Sequence, residues 1–441
     1  MPLVFNQEES FGQQDTPHVS GFNITSSDGK QTKDLVERPW KKIELVESMG
    51  LLSSDSNFLS GSVLIADAVG FMQEFALNGG ETIEFTFATP QKPEIHFIGI
   101  IYEAVPVDDF NKRSLILNFC SAEKLGSDQM KIQKSYKNML YSDMANHLFS
   151  PVLSDYSQKK KKLYIEPTKT LQSIVVTNRH PADAVSWLAG RSKSEKYQGA
   201  NYVFYERIDG TFHFTSIEKL VDPAKVKSTM IYYYDKPPKN RVSPENLVRI
   251  GSYDILKVPN VISNIQNGMY SGTLVTNDLV KRQHRYNYWN YDDSYNGLKS
   301  LNPNKIDGKK TSVMNHTSYS ERPSSFVYMA PKHYKSWDRA GVDNIVEETA
   351  LVRNSQMLQI NSIKLQIRVP GDSQRMIGEV IEVVLPSPQP KTPTSGTDGD
   401  AVFSGKYLIS KVKHHVTSDD TYETVLDLVT DSYGQPLPPA N

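Results

Sequence analysis

A short phrase written twice, once near each end of the chain, limits the fold more than any other feature. Gly80-Glu81-Thr82-Ile83-Glu84-Phe85 and Gly378-Glu379-Val380-Ile381-Glu382-Val383 both read G-E-x-I-E-[FV]. The same order of events follows each copy. A proline comes next (Pro90, Pro386), then F-x-G (Phe97-Ile98-Gly99, Phe403-Ser404-Gly405). An apolar closing stretch follows, Leu115-Ile116-Leu117 in one copy and Val425-Leu426-Asp427-Leu428-Val429 in the other. A shared order of this kind argues for a duplicated domain. Ile83, Phe85 and Phe87 alternate with Thr82, Glu84 and Thr86, the period of a half-buried strand. That phase predicts burial of Ile83, Phe85, Ile381 and Val383. Further short runs, such as Lys42–Val46, Gly61–Ile65, Ile98–Tyr102 and Ser114–Phe119, are β-branched or aromatic and bounded by turn residues. The expected class is mainly β with an α+β insertion: two related small antiparallel β-barrel domains and a middle α+β domain.

Residues 1–37 are polar and without sustained period, and read as a flexible arm. Residues 38–120 are the first barrel domain. Residues 121–245 are the middle domain. There, Tyr136, Leu140, Met144 and Leu148 suggest a helical stripe ended by Pro151, Pro181 opens a second helix, and Asp209-Gly210 turns a hairpin. Between the helices, Lys159–Lys162 reads as a solvated loop. Residues 246–356 mix strands, a polar insertion at about 296–340, and a helix from Asn344 to Gln356. Residues 357–435 are the second barrel domain, broken by a loop from Pro386 to Asp400. Residues 436–441 are a tail.

Composition removes several functions. Of 441 residues, 38% are apolar, enough for real cores, and the net charge is −1. A protein held mainly by phosphates carries a basic excess, and this chain has none. No apolar run approaches the ~20 residues of a membrane helix, and the opening residues show no charged-then-apolar leader. The one cysteine, Cys120, excludes an intrachain disulfide and a multi-cysteine zinc site, and suits a reducing cytoplasm. The phosphate-loop, zinc-protease, nucleophile-elbow and EF-hand patterns are missing. His414 and His415 fall on opposite faces of a strand and make a poor metal pair. Glu81, Glu84, Glu379 and Glu382 follow the repeat and do not form a catalytic couple. The aromatic-polar stretch from Arg282 to Tyr295 has an interface composition. No catalytic, cofactor or metal residues are expected.

The run Ser404-Gly405-Lys406-Tyr407-Leu408-Ile409-Ser410-Lys411-Val412-Lys413-His414-His415, with Tyr422-Glu423-Thr424 and Leu426-Asp427-Leu428-Val429, resembles the closing strands of the baseplate hub proteins of contractile-tailed phages. The T-even hub is the type case, and the spike base of type VI secretion is related. Gly405, Tyr407, Ile409, His414, Tyr422 and Leu428 carry the likeness. Val369-Pro370-Gly371-Asp372, Gly251–Ile255 and Gly272–Asp278 extend it over about residues 38–435. The resemblance implies a non-enzymatic homotrimer in the virion baseplate, assembled in the host cytoplasm. Its paired barrels would form a pseudo-hexameric ring. That ring would join the tail spike protein to the tail tube or its initiating protein, touch neighbouring baseplate proteins, and pass genomic DNA as cargo. The other readings are a tail-tip cell-wall hydrolase or peptidase, for which no segment offers paired carboxylates in a helical domain, and an extracellular β-rich adhesin.

Overall fold

The computed structural model describes residues 18–36, 40–52, 56–66, 70–75, 77–89, 92–109, 112–157, 161–224, 226, 229–234, 246–278, 282–292, 297–306, 319–320, 326–332, 345–387, 399–400, 402–419 and 421–434. The fold is mainly β, as expected.

The first repeat comprises β1 (His18–Thr25), β2 (Thr32–Asp34), β3 (Trp40–Ser48), β4 (Ser60–Ala66), a short helix α1 (Phe71–Glu74), β5 (Thr82–Ala88), β6 (Ile95–Asp109) and β7 (Lys112–Ser121). Its core holds Phe22, Ile43, Leu45, Ile83, Phe85, Phe97 and Phe119. Part of the arm is thereby corrected: β1 pairs antiparallel with β5, and Phe22, Ile24 and Leu35 are fully buried. The polar composition hid the alternation of Phe22 and Ile24 with Gly21, Asn23 and Thr25. Residues 1–17 of that arm lie outside the described residues.

The middle unit follows with α2 (Ala122–Gln129), β8 (Ile132–Met139), α3 (Tyr141–Tyr156), β9 (Lys162–Ile165), β10 (Gln172–Arg179), α4 (Pro181–Ala189), β11 (Tyr202–Arg207), β12 (Thr211–Ser216) and α5 (Ile217–Val221). The expected helical stripe is only half right. Tyr136 stands on strand β8, the helix begins at Tyr141, and Pro151 lies inside it. Met144, Leu148 and Val152 bury its inner face, and that packing outweighs the backbone hydrogen bond a proline cannot make. Pro181 does open α4, and Asp209-Gly210 does turn the β11–β12 hairpin, with Gly210 at φ 77°.

The second repeat is built from β13 (Met230–Tyr234), β14 (Arg249–Ile250) and β15 (Ser252–Lys257), then α6 (Val261–Gln266), β16 (Ser271–Asp278), β17 (Gln283–Asn290), β18 (Asn304–Lys305), β19 (Val327–Lys332) and α7 (Val346–Ile360), and finally β20 (Ile363–Pro370), β21 (Val380–Val384), β22 (Gly405–Thr417), β23 (Tyr422–Thr430) and β24 (Ser432–Tyr433). β16, β17 and β19 form a separate three-stranded sheet. The polar insertion is also corrected in part. Asn302 binds Lys406 N at 2.8 Å, Thr430 Oγ1 at 3.1 Å and Ser432 O at 3.1 Å, so this segment is fastened to the closing strands. Residues 307–318, 321–325 and 333–340 of the insertion, 388–398 of the Pro386–Asp400 loop, and the tail 436–441 lie outside the described residues.

The two repeats share one topology. Strands run β3-β4-β7-β6-β5 in the first and β15-β20-β23-β22-β21 in the second, so Ile83 and Ile381 occupy equivalent strands. The match reaches single hydrogen bonds. Gly80 N donates to Ile101 O at 2.8 Å, and Gly378 N to Ile409 O at 3.0 Å; Ile101 N donates to Glu81 O, and Ile409 N to Glu379 O. A register shift follows at once in both, between Ile101 and Glu103 and between Ile409 and Lys411. Ile83, Phe85 and Val383 are fully buried and Ile381 is 3% exposed. The F-x-G segments, by contrast, are two residues out of step: Gly99 faces Ile83, whereas Tyr407 faces Ile381 and Gly405 faces Val383. The duplication also ends at the flanks, since β1 runs antiparallel to β5 but β13 runs parallel to β21. The strands of each repeat stay open, with no pairing among the described residues that closes a barrel.

Gly80 and Gly378 hold φ of 96° and 82°, a region that penalises a side chain. A Cβ on Gly378 would also stand 2.7 Å from Tyr205 Oη, while one on Gly80 meets nothing closer than 3.9 Å. Gly378→Ala is therefore expected to destabilise the chain by about 1–3 kcal/mol, and Gly80→Ala by less, in urea unfolding of the two variants.

Candidate functional site

The repeats meet edge to edge. β22 runs antiparallel to β3, from Lys411 opposite Ser48 to Thr417 opposite Lys42, which makes one sheet of both units. Val416 and Tyr422 from the second repeat enter the core of the first. Tyr422 stands T-shaped on Phe87, centroids 5.5 Å apart, and its hydroxyl lies 2.7 Å from His414 Nδ1. Burial pushes His414 down to about 3, so the ring is neutral and serves packing. On the other face Glu44 gathers Lys413 at 2.8 Å, His415 at 3.2 Å, and Lys42. Burial alone opposes the Glu44 charge, but hydrogen bonds from Lys413 and Lys42 outweigh it and hold the carboxyl at about 2. The two histidines do fall on opposite faces.

Two buried carboxylates lock the middle unit into this junction. Glu47, on β3, accepts Ile208 N at 2.6 Å from the middle unit and Ile377 N at 2.9 Å from the second repeat. Three units converge on one side chain. Burial pushes its carboxyl up to about 8, against the pull of Arg207 and of the two amides. A carboxyl raised in the folded state binds its proton more tightly there than in the unfolded chain. Stability is therefore expected to fall as pH rises from about 4.5 towards 8, with a slope approaching ~1.4 kcal/mol per unit. Chemical denaturation at a series of pH values measures it, and Glu47→Gln should flatten the slope.

Glu206, on β11, accepts Leu59 N at 3.0 Å and Ser121 Oγ at 2.7 Å, both from the first repeat. Lys161 bridges it at 2.5 Å to Glu123 at 2.8 Å. Burial alone lowers the pKa of Lys161, but Glu206 and Glu123 outweigh it and raise it. This overturns the solvated-loop reading for one of the four lysines: Lys161 is largely enclosed, 12% exposed at its side chain, between two buried carboxylates. Lys162 is exposed, and residues 158–160 lie outside the described set.

The repeat carboxylates each have a partner of their own and do not converge. Glu81 accepts Asn78 N at 2.8 Å and Gly79 N at 3.1 Å. Glu84 meets His96 at 2.6 Å. Glu379 faces Arg207 at 3.5 Å, and burial raises its pKa. Glu382 stands opposite Lys406 in the ladder. In the closing strands, Tyr407, Ile409 and Leu428 are buried core residues, and Gly405 packs against Gly434 and Asn302. Beside the junction lies an open cleft of about 1370 Å³ with Lys161, His213, Asp372, Arg375 and Glu379 in its wall. No group of three metal-ligating side chains forms among the described residues, and no helix among them is long and apolar enough to cross a membrane. Glu47 and Glu206 escaped sequence reasoning because no local pattern marks a buried charge whose partners are distant in the chain.

The architecture has known counterparts. The crystal structure of a tail protein from Neisseria meningitidis MC58 superposes with a TM-score of 0.51 and 13% identity, over 93% of this chain and 97% of that one. This chain shares the fold of that tail protein. The 43 kDa tail protein of prophage MuSo2 from Shewanella oneidensis gives a TM-score of 0.48 at 10% identity, over 94% and 99% of the two chains. An E. coli component of the type VI secretion system, c3393, gives 0.40 at 9%, over 96% and 79%. No protein-family profile matches the chain, and no curated protein matches it in sequence.

Proposed function

We propose that this tail-protein fold serves as the structural hub of a contractile phage baseplate. In this reading it has no enzymatic activity. Three copies bring six like repeats around one axis, each completed to a barrel in the assembly. The pseudo-hexameric ring joins the threefold spike to the sixfold tail tube, and genomic DNA passes through it in the virion. The observation that carries the proposal is the side-by-side union of two topologically equal repeats in one sheet through β3 and β22. Such a chain offers each sixfold partner two similar faces per copy, and closed rings are the common solution for soluble oligomers.

Light scattering on the purified 441-residue chain should give three times its 49.8 kDa mass, and incubation on peptidoglycan should release no fragments. A monomer that clears peptidoglycan would favour the hydrolase reading instead. Contacts with neighbouring baseplate proteins fall to residues 1–17 and to the polar insertion. Deleting residues 1–17 should leave a trimer that builds few tails, counted by electron microscopy.

A further inference from the structure

Away from the junction, two arginines of the middle unit are held over one tryptophan. Arg179 ends β10, and Trp187 lies near the end of α4. Arg191 N donates to Leu188 O at 2.9 Å, which keeps the chain wound past the helix end and brings Arg191 to the side of Trp187, four residues earlier. The guanidinium carbon of Arg191 stands 4.2 Å from the Trp187 ring centroid and that of Arg179 5.0 Å. The electron-rich indole face attracts both cations. The indole is half-buried, and both arginines are exposed. Tyr328 of β19, 47% exposed, lies close enough to act on the Arg191 charge.

No carboxylate neutralises this pair. The ionisable groups that act on Arg191 are Tyr141, Tyr328 and Arg179, and neither arginine has an ion-pair partner among the described residues. Two like charges over one ring repel each other. Two residues on, Lys193 holds Glu348 of α7 at 2.8 Å, and Lys169 adds its own pull, so that carboxylate is already engaged. An incoming anion would relieve the repulsion. A carboxylate fits the edge of a guanidinium through paired N–H···O bonds. Because the indole pins both arginines, little side-chain freedom is lost when they bind. Tryptophan, tyrosine and arginine are also the side chains that most often dominate protein–protein binding energy. A single-strand nucleic-acid platform would need open ring faces, and here guanidiniums occupy them.

We propose that Arg179, Trp187, Arg191 and Tyr328 form a docking point for an acidic segment of a partner protein. Carboxylates of that segment seat on the two guanidiniums, and an apolar side chain beside them packs on Tyr328. This binding does not require the ring proposed above.

Calorimetric titration of the 441-residue chain at low salt tests it, with tryptophan fluorescence as a second readout. The probe is a short capped synthetic peptide of glutamate pairs separated by leucines. The parent should bind it saturably, and the same peptide with glutamine for glutamate should not bind. Arg179→Gln with Arg191→Gln should weaken binding by at least about tenfold, the loss of one charge-assisted contact or more, with an unchanged circular dichroism spectrum. Arg179→Lys with Arg191→Lys keeps the charge but not the fork, and should stay weaker than the parent. Lys162→Gln with Lys257→Gln removes the same charge from exposed positions elsewhere and should leave the affinity within about twofold. A parent that does not bind the peptide saturably overturns the proposal. So does an equal loss from the arginine and lysine pairs, which would mark unspecific attraction. An oligothymidylate of equal charge held more tightly than the peptide, through the same two arginines, would replace the protein partner with a nucleic acid and overturn it as well.

Discussion

Replacing Lys161 with methionine is expected to destabilise the folded chain by about 3–5 kcal/mol, the usual cost of removing one partner of a buried ion pair. Lys161 is 12% exposed at its side chain, Glu123 1% and Glu206 0%. Methionine matches the length of the aliphatic stem but leaves two carboxylates facing each other out of water. They would take up protons or admit solvent, and either response weakens the seam that Glu206 makes with Leu59 and Ser121 of the first repeat. The triple variant Lys161→Met, Glu123→Gln, Glu206→Gln separates charge from shape. It should recover at least half of the loss, because a neutral cluster no longer pays the desolvation of a net negative charge. Urea denaturation at pH 7, followed by tryptophan fluorescence, reads all three proteins. A loss under about 1 kcal/mol for the single variant would place Lys161 in solvent.

Ile381→Ala and Ile83→Ala should each cost about 2–5 kcal/mol, the range for truncating a large aliphatic side chain in a packed core. The two residues hold the same position in the two repeats, with 3% and 0% exposure. The costs should therefore be similar. They should also shift one shared unfolding transition. Val416 and Tyr422 complete the core of the first repeat from the second, and β22 continues its sheet, so neither unit keeps its core when the other unfolds. Calorimetry of the parent and both variants tests this: two separable transitions, each moved by only one substitution, would show that the repeats fold independently.

How much of this was legible beforehand varies from residue to residue. The alternation around Ile83 and Ile381 reported both the strand and its buried phase, because side chains on a strand change face at every step. The G-E-x-I-E phrase marked the duplication correctly, since its glycine meets a backbone demand that recurs in both copies. The F-x-G phrase misled by two residues, because chemical likeness in sequence carries no register. Residues 18–34 were misjudged on composition. Pro151 was misjudged on propensity, which the buried face of α3 overrode.

Local pattern therefore determined which segments extend, which face they bury, and that the strand domain occurs twice. Tertiary structure alone decided that β22 reaches across to β3, that Asn302 fastens a polar stretch to the closing strands, and that Lys161 is enclosed while its neighbour Lys162 is exposed. The reason is physical. A strand's phase depends on its own residues, but its pairing partner and the solvation of a charge depend on groups brought close by the rest of the chain. Glu123 and Glu206 lie 38 and 45 residues from Lys161, and nothing in the run of four lysines distinguishes the one they enclose.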